Sequence, residues 1–442
     1  MKQILVLGTG YVVKPLVDYF MDECKYEVFV ASRDNDRSGQ IIAGRPHGKR
    51  VLWTAKAPYT ELDRMVKDVD LVVSMIPPSM HPIVARACIN NRVDMVTTSY
   101  IGPEMRALDE EAEKAGIVIL NEIGEDPGMD HMGAQQTIDR IEAEGGKVRS
   151  LTSYGAGIPS FEHNRNPLGY KFSWSPMGLI RAGETPAAFI QDGKKIEVSG
   201  EDLFKNNWLT DIYNLGTFET YPNRDSTIYI DEYGLDRGVD IYRGLLRFPG
   251  YCSTMQGFKD LGLFRSDNSQ DLSSKTYRQL MADLVGVSDS PDVRLATADH
   301  LGEERTSDLL ARYEWLGLFD DAPIAIRKGS NVDVLVDLML RRMAYAPHEK
   351  DMIIIHNDIV AEFDNRIERR MATMRVEGRP FGHSAMSRAV SLPAAIASRL
   401  IIEGAIRQKG VVMPTSSEIY SPVLAELVEH EFRFEHHTIV LG

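Results

Sequence analysis

The sequence predicts an α/β protein: an N-terminal doubly wound parallel sheet, then a second α+β domain with a mixed sheet and a smaller helical portion. Three observations carry this. Apolar runs of strand length alternate with helix-length spacers through the first 125 residues. The first of these runs ends in a glycine-bearing turn, Gly8-Thr9-Gly10-Tyr11-Val12-Val13. Beyond about Ser150 the alternation stops and antiparallel hairpin signals replace it.

Composition limits the function classes. At 442 residues the chain is long enough for two or three domains with a substantial core. A net charge of −14 opposes a general nucleic-acid binder, whose binding face would be basic. The longest apolar stretches, such as GIVIL and DMIIIH, are far too short to span a bilayer, so no membrane partner is expected. The opening residues MKQILVLGTG lack a small-residue cleavage site and run into the glycine turn, so they read as a first strand. Cys24, Cys88 and Cys252 are too scattered for a metal or disulfide pattern, which fits a reduced, cytoplasmic setting without a metal site.

The elements follow in order. Residues 3–7 form the first strand, a helix follows the glycine turn to about Met21, and residues 27–31 form the second strand. Strand, glycine turn, helix, strand is the context of a Rossmann-type dinucleotide fingerprint. Gly8 permits the tight turn, and Gly10 lets the backbone approach a pyrophosphate at the helix N-terminus. The third glycine of the usual pattern is replaced by Val13, so an ordinary strand–helix turn stays open as the plain alternative. The second strand closes on Ser32 and Arg33, where an acidic residue would favour NAD; a hydroxyl and a guanidinium suit a 2′-phosphate, which points to NADP. Asp34 and Asp36 nearby are the counter-signal, and Arg33 as a solvated loop cation is the alternative.

Further strands fall at 70–75, 94–97 and 116–120. In a doubly wound sheet ligands bind beyond the carboxyl ends of the strands. Three strand-end loops should therefore share one crevice: Ile76-Pro77-Pro78, Thr98-Ser99-Tyr100, and the stretch NEIGEDPGMDH from Asn121 to His131. Beyond Ser150, SLTSY and IYRGLLRF read as strands, and MIIIHNDIVAEF with RIERRMATMRVEG reads as a hairpin turning at Asp364-Asn365. Residues 256–345 carry helical patterns, among them Leu309, Leu310, Tyr313 and Leu316, and the chain turns helical again after Gly382.

Seven motifs give the chain a resemblance to the saccharopine reductase family, saccharopine dehydrogenase of the NADP-dependent, L-glutamate-forming type. They are GTGYV, MIPPSMHP, VTTSYI, NEIGEDPGMDH, NPLGYKFSWSP at 166–176, YPNRDS at 221–226 and EWLGLF at 314–319. The resemblance implies a Rossmann NADP-binding domain over 1–125, completed by 383–442. It implies a substrate-binding and dimerisation domain over 126–382, with a helical insertion at about 256–345, and a homodimer. The activity implied is oxidoreductase chemistry on a CH–NH group in lysine metabolism: saccharopine, water and NADP interconvert with L-glutamate and 2-aminoadipate 6-semialdehyde through hydride transfer at an imine.

That substrate carries three carboxylates, which a net-acidic protein must meet with placed cations. The resemblance implies Arg224 and Arg247 for this, with Lys171 as a weaker addition; for each, a domain ion pair is the plain alternative. Asp126 and Tyr100 are implied as the catalytic, proton-handling pair, with helix capping the alternative for Asp126 and a core position the alternative for Tyr100. Ser99 joins them at the substrate. The cofactor contacts are Gly8, Thr9, Gly10, Tyr11, Val12, Ser32, Arg33, Ile76, Pro77, Thr98, Pro127 and Trp174. His81 and His131 stand at helix starts and read as supporting groups. One departure stands out: Gly155 follows Tyr154 where fungal members carry a cysteine. Two other functions stay open. A related imine reductase such as carboxynorspermidine dehydrogenase should lack the second-domain arginines; a non-catalytic NADP(H)-binding protein should lack Asp126 and Tyr100.

Overall fold

The structure, a computed structural model, describes residues 1–54, 56–287 and 292–441. Two compact units make up the chain: Met1–Gly157 with Tyr229–Val239 and Met352–Gly442, and Ile158–Ile228 with Asp240–Asp351. Residues 288–291, inside the predicted helical stretch, and residue 442 lie outside the described residues.

The first unit begins with six strands, β1 (Gln3–Leu7), β2 (Glu27–Ser32), β3 (Gly48–Leu52), β4 (Leu71–Ser74), β5 (Asp94–Val96) and β6 (Val118–Leu120). They lie in the order β6-β5-β4-β1-β2-β3 and all pair in parallel. Strand order reverses beside β1, the switch point at which doubly wound sheets bind ligands. Every residue of β4 and β6 is buried, as expected of strands covered on both faces. The intervening helices are α1 (Lys14–Asp18), α2 (Asn35–Ile42), α3 (Tyr59–Lys67), α4 (His81–Asn91), α5 (Pro103–Arg106) and α6 (Asp109–Ala115). Asp34 caps α2 by accepting from the Arg37 N–H at 3.0 Å. The helix predicted to reach Met21 differs: α1 widens after Asp18 into a π turn over Tyr19–Glu23, which the Cys24 N–H closes on the Tyr19 carbonyl at 3.1 Å. The stretch NEIGEDPGMDH then leads into α7 (Met129–Ala143), and β7 (Lys147–Pro159) carries the chain into the second unit.

The second unit contains β8 (Ala187–Gln191), β9 (Lys194–Val198), β10 (Trp208–Ile212), β11 (Gly216–Pro222), β12 (Asp240–Arg247), β13 (Gln270–Asp271) and β14 (Lys328–Gly329). Its helices are α8 (Pro176–Ala182), α10 (Tyr251–Asp260), α11 (Tyr277–Leu284), α12 (Val293–Leu301), α13 (Asp308–Leu316) and α14 (Asn331–Arg342). The short α9 (Tyr229–Glu232) belongs to the first unit. Strands β10, β11 and β12 pair antiparallel in sequence, and β8 forms a hairpin with β9. That hairpin turns on Asp192 and Gly193, both at positive φ, as a two-residue turn matched to strand twist requires. Thr276 with Gln279, and Ser330 with Asp333, start α11 and α14 with reciprocal capping boxes.

The chain returns to the first unit through β15 (Asp351–Phe363), β16 (Arg366–Glu377), α15 (Ala385–Ile402), β17 (Gly410–Val412), α16 (Ser417–Leu427) and β18 (Glu435–Val440). The β15–β16 hairpin turns at Asp364-Asn365, as the sequence predicts, with Phe363 opposite Arg366. Strand β17 pairs in parallel with β6 and is the seventh strand of the sheet, while β18 pairs with β16. Helix α15 is long and apolar enough to cross a membrane by length and composition; it is 83% buried, packed on α1 and β4 as a core helix. The two compact units divide inside β7 and at the start of β15.

Candidate active site

The glycine turn after β1 is shaped by one close approach. Gly8 has φ +109°, and a Cβ there would lie 2.6 Å from the Met75 carbonyl oxygen, so only glycine fits. Gly10 is exposed and a Cβ on it would meet nothing within 4 Å, which leaves its backbone open to a ligand. At the end of β2 the buried Ser32 hydroxyl is hydrogen-bonded to Thr9 Oγ1 at 2.9 Å, tying the turn to the second strand. Arg33 is exposed just beyond, and Arg37 lies 5.3 Å from the Tyr11 ring centroid. A tight turn, an open glycine backbone, a held hydroxyl and an exposed guanidinium fit a dinucleotide with a 2′-phosphate.

Pro77 is exposed and Ile76 half-buried beyond β4, where a 3-10 turn leads into α4. The first residue of α4, His81, is buried among hydroxyls: its Nδ1 is 2.9 Å from Ser74 Oγ, and its Nε2 is 2.9 Å from Ser99 Oγ and 3.2 Å from Thr97 Oγ1. Burial pushes the His81 pKa down to about 4, so a neutral ring holds the Ser99 side chain beyond the end of β5. Thr98 Oγ1 points back to Met75 Sδ at 3.9 Å.

The next two strand ends meet. Tyr100 donates from its phenol to Asp126 Oδ1 at 2.9 Å. Asp126 is half-buried, and Pro127 behind it is buried. The N-cap position of α7 is Gly128, two residues beyond Asp126. Asp130, on the first turn of α7, accepts from the Gly128 N–H at 2.6 Å. Gly155 on β7 faces the same carboxylate, since a Cβ there would lie 2.5 Å from Asp126 Oδ2. The position that departs from the fungal pattern therefore lies against the Asp126 side chain.

Glu122 was not singled out from the sequence. It is 3% exposed, with φ +54°, and its carboxylate accepts from the Ile101 N–H at 2.9 Å and the Tyr229 hydroxyl at 3.0 Å. His131 Nε2 lies 3.0 Å from the same carboxylate, and His131 Nδ1 lies 2.6 Å from the Tyr233 hydroxyl. These partners lie far apart in sequence, so no local pattern announces the cluster.

The cations predicted for the substrate carboxylates, Arg224, Arg247 and Lys171, are all in the second unit. Arg247 is 3% exposed, with its guanidinium 5.2 to 5.7 Å from the ring centroids of Tyr170, Tyr221 and Tyr251. It donates to the Leu246 carbonyl at 2.8 Å, but its Nε has no hydrogen-bond partner and no carboxylate pairs with it among the described residues. A buried guanidinium without a counter-ion is costly unless an anionic ligand supplies one. Arg224 is half-buried at φ +59°, and its carbonyl accepts from the Ala188 N–H at 3.0 Å. Lys171 is held differently: it donates to both oxygens of Glu349 at 2.5 Å, as an internal pair. Trp174 donates from its indole to the Tyr170 hydroxyl at 2.9 Å.

Residues 4–120 match the family described as "Saccharopine dehydrogenase NADP binding domain", and residues 124–432 match "Saccharopine dehydrogenase C-terminal domain". Over 433 residues the chain is 36% identical to "Saccharopine dehydrogenase [NADP(+), L-glutamate-forming]" of Saccharomyces cerevisiae, with 96% of each chain covered. The structure of apo saccharopine dehydrogenase (L-Glu forming) from that yeast aligns with a TM-score of 0.88 at 34% identity, covering 99% of this chain and 100% of that one. Over 435 residues the chain is 37% identical to "Alpha-aminoadipic semialdehyde synthase, mitochondrial" of Rattus norvegicus; 96% of this chain is covered but only 46% of that protein, so this chain spans less than half of the relative's length.

The geometry gives two expectations. Gly155→Ala should push the Asp126 carboxylate off its place and break the Tyr100 bond, at a cost of about 1 kcal/mol; a crystal structure of the variant would show the two side chains beyond hydrogen-bond reach. For His81, the unfolded chain takes up a proton from the ordinary value of 6.5 downward, while the folded ring stays neutral to about 4. Its contribution is therefore present in full above that ordinary value and is lost on acidification towards the folded one. Between pH 7 and 5 the loss is about 2 kcal/mol, and urea midpoints of wild type and His81→Asn should show a shallower decline in the variant.

Proposed function

The chain belongs to the saccharopine dehydrogenase family, and from that membership we propose that it catalyses the NADP-dependent, L-glutamate-forming oxidation of saccharopine and its reverse. The observation that carries this reading is the Tyr100–Asp126 hydrogen bond of 2.9 Å, beyond the carboxyl ends of β5 and β6 and in the same unit as the glycine turn. A non-catalytic dinucleotide binder has no use for such a pair.

The reaction needs three things of the protein. The dinucleotide must be held, and we assign that to Gly8, Thr9, Gly10, Tyr11 and Val12 at the turn, Ser32 and Arg33 at the 2′-phosphate, and Ile76, Pro77, Thr98, Pro127 and Trp174 about the remainder. When bound, NADP supplies the acceptor for the hydride. Saccharopine gives up that hydride from the side-chain carbon of its aminoadipate part, and the attached nitrogen releases its proton. Water adds to the resulting C=N bond, and cleavage of the C–N bond frees L-glutamate and 2-aminoadipate 6-semialdehyde. Asp126 accepts the proton from nitrogen or from the attacking water, with the Tyr100 phenol orienting the carboxylate and Ser99 lining the substrate.

The substrate's carboxylates must also be neutralised. We assign Arg247 and Arg224 to them, each able to form a paired N–H fork on a carboxylate. That no carboxylate pairs with buried Arg247 among the described residues supports this; Lys171, already paired with Glu349, would contribute only through that pair. A polyamine precursor would instead call for acids at these positions. The same reading carries a homodimer in the cytoplasm, a setting that suits three free cysteines.

The test is to follow absorbance of the reduced nicotinamide with NADP and either saccharopine or carboxynorspermidine. Saccharopine should be turned over and the polyamine acid should not; equal rates would sink the assignment. Arg247→Met should raise the KM for saccharopine by about 100-fold, as for loss of a charge-assisted pair, with affinity for NADP unchanged.

A further inference from the structure

We propose that Glu122 is a positioning residue for the Tyr100–Asp126 pair, and this rests on the catalytic reading of that pair given above. Glu122 is almost fully buried, behind Tyr100 rather than exposed beside it. It brackets Tyr100 from both sides along the chain. Its N–H donates to the Ser99 carbonyl at 3.1 Å, and its side chain accepts from the Ile101 N–H at 2.9 Å. The residue between those two contacts is Tyr100.

The same residue anchors the loop that bears Asp126. Glu122 opens that loop, and Asp130 and His131 close it. His131 Nε2 returns to the Glu122 carboxylate at 3.0 Å, while Asp130 holds the Gly128 N–H at 2.6 Å. The Tyr229 and Tyr233 hydroxyls complete the cluster from α9 and the residue after it. One buried residue thus holds the backbone on either side of Tyr100, by its N–H at Ser99 and by its carboxylate at Ile101, and the same carboxylate ties the start of the loop that presents Asp126 to His131 at its end. Glu122 also has φ +54°, a left-handed backbone state that is unfavourable for a non-glycine residue. Such a cost persists where the surroundings over-determine it. A misplacement of about 1 Å between reacting groups is enough to lower turnover by about 100-fold.

The experiment compares Glu122→Ala, Glu122→Gln and Tyr100→Phe, singly and combined, in the intact chain. Glu122→Ala should lower kcat about 10- to 100-fold, with the KM for saccharopine and the affinity for NADP unchanged. Glu122→Gln keeps an oxygen that can accept from Ile101 and should restore kcat to within about 3-fold of wild type. If Glu122 acts through Tyr100, the double variant Tyr100→Phe with Glu122→Ala should be no slower than the slower single variant. Losses that multiply, or a kcat unmoved by Glu122→Ala, overturn the proposal. Should Glu122→Ala fail to fold, Glu122→Asp takes its place, since it retains the charge but is too short to reach both sets of donors. A crystal structure of Glu122→Asp decides the matter without any substrate: Tyr100 drawn out of reach of Asp126 supports the role, and an unmoved pair overturns it. A wild-type protein inert towards saccharopine would count against the assigned reaction, and that structure would still judge the clamp.

Discussion

A carboxylate withdrawn from water must be met by donors from the protein, because leaving it unpaired costs far more than any one hydrogen bond returns. Glu122 sets this condition at the centre of the first unit. Its donors come from the loop after β5, from α7 and from α9. Meeting that charge draws together the loop after β5, the start of α7 and residues of 229–239, which belong to the first unit. The Tyr100–Asp126 hydrogen bond lies beside this cluster, with Tyr100 between two residues that Glu122 contacts.

The parallel sheet imposes a second condition. Strands buried on both faces need cover on both, and the N-terminal 125 residues do not supply all of it. Helix α15 packs on α1 and β4, and β17 pairs with β6, so the last ninety residues finish a layer that the first hundred begin. Asp109 at the start of α6 accepts from the Val411 N–H at 2.7 Å, which fixes the added strand at its edge. The sheet whose strand ends carry the site is in this way built from both ends of the chain.

In the second unit the governing feature is a cation in an aromatic surround. Tyr170, Tyr221 and Tyr251 stabilise the Arg247 guanidinium through their ring faces without neutralising it. Lys171 has the opposite arrangement, a buried charge fully answered by Glu349. Two basic residues that look alike in sequence thus differ in readiness for an anion, because one is paired with a carboxylate and the other, among the described residues, is not.

What could be read from the chain is what depends on neighbours in sequence. Strand–helix alternation, the glycine turn with Ser32 and Arg33, the Asp364-Asn365 hairpin and the loop carrying Asp126 follow from residue type and spacing, since backbone conformation is chosen largely by adjacent residues. Their motifs also placed the chain in its family. The roles of Glu122, Gly155 and the internally paired Lys171 were decided only by tertiary structure. A buried charge, a missing Cβ and an ion pair take their meaning from atoms brought close in space by chain segments tens to hundreds of residues apart, and such encounters leave no local trace in the order of the residues.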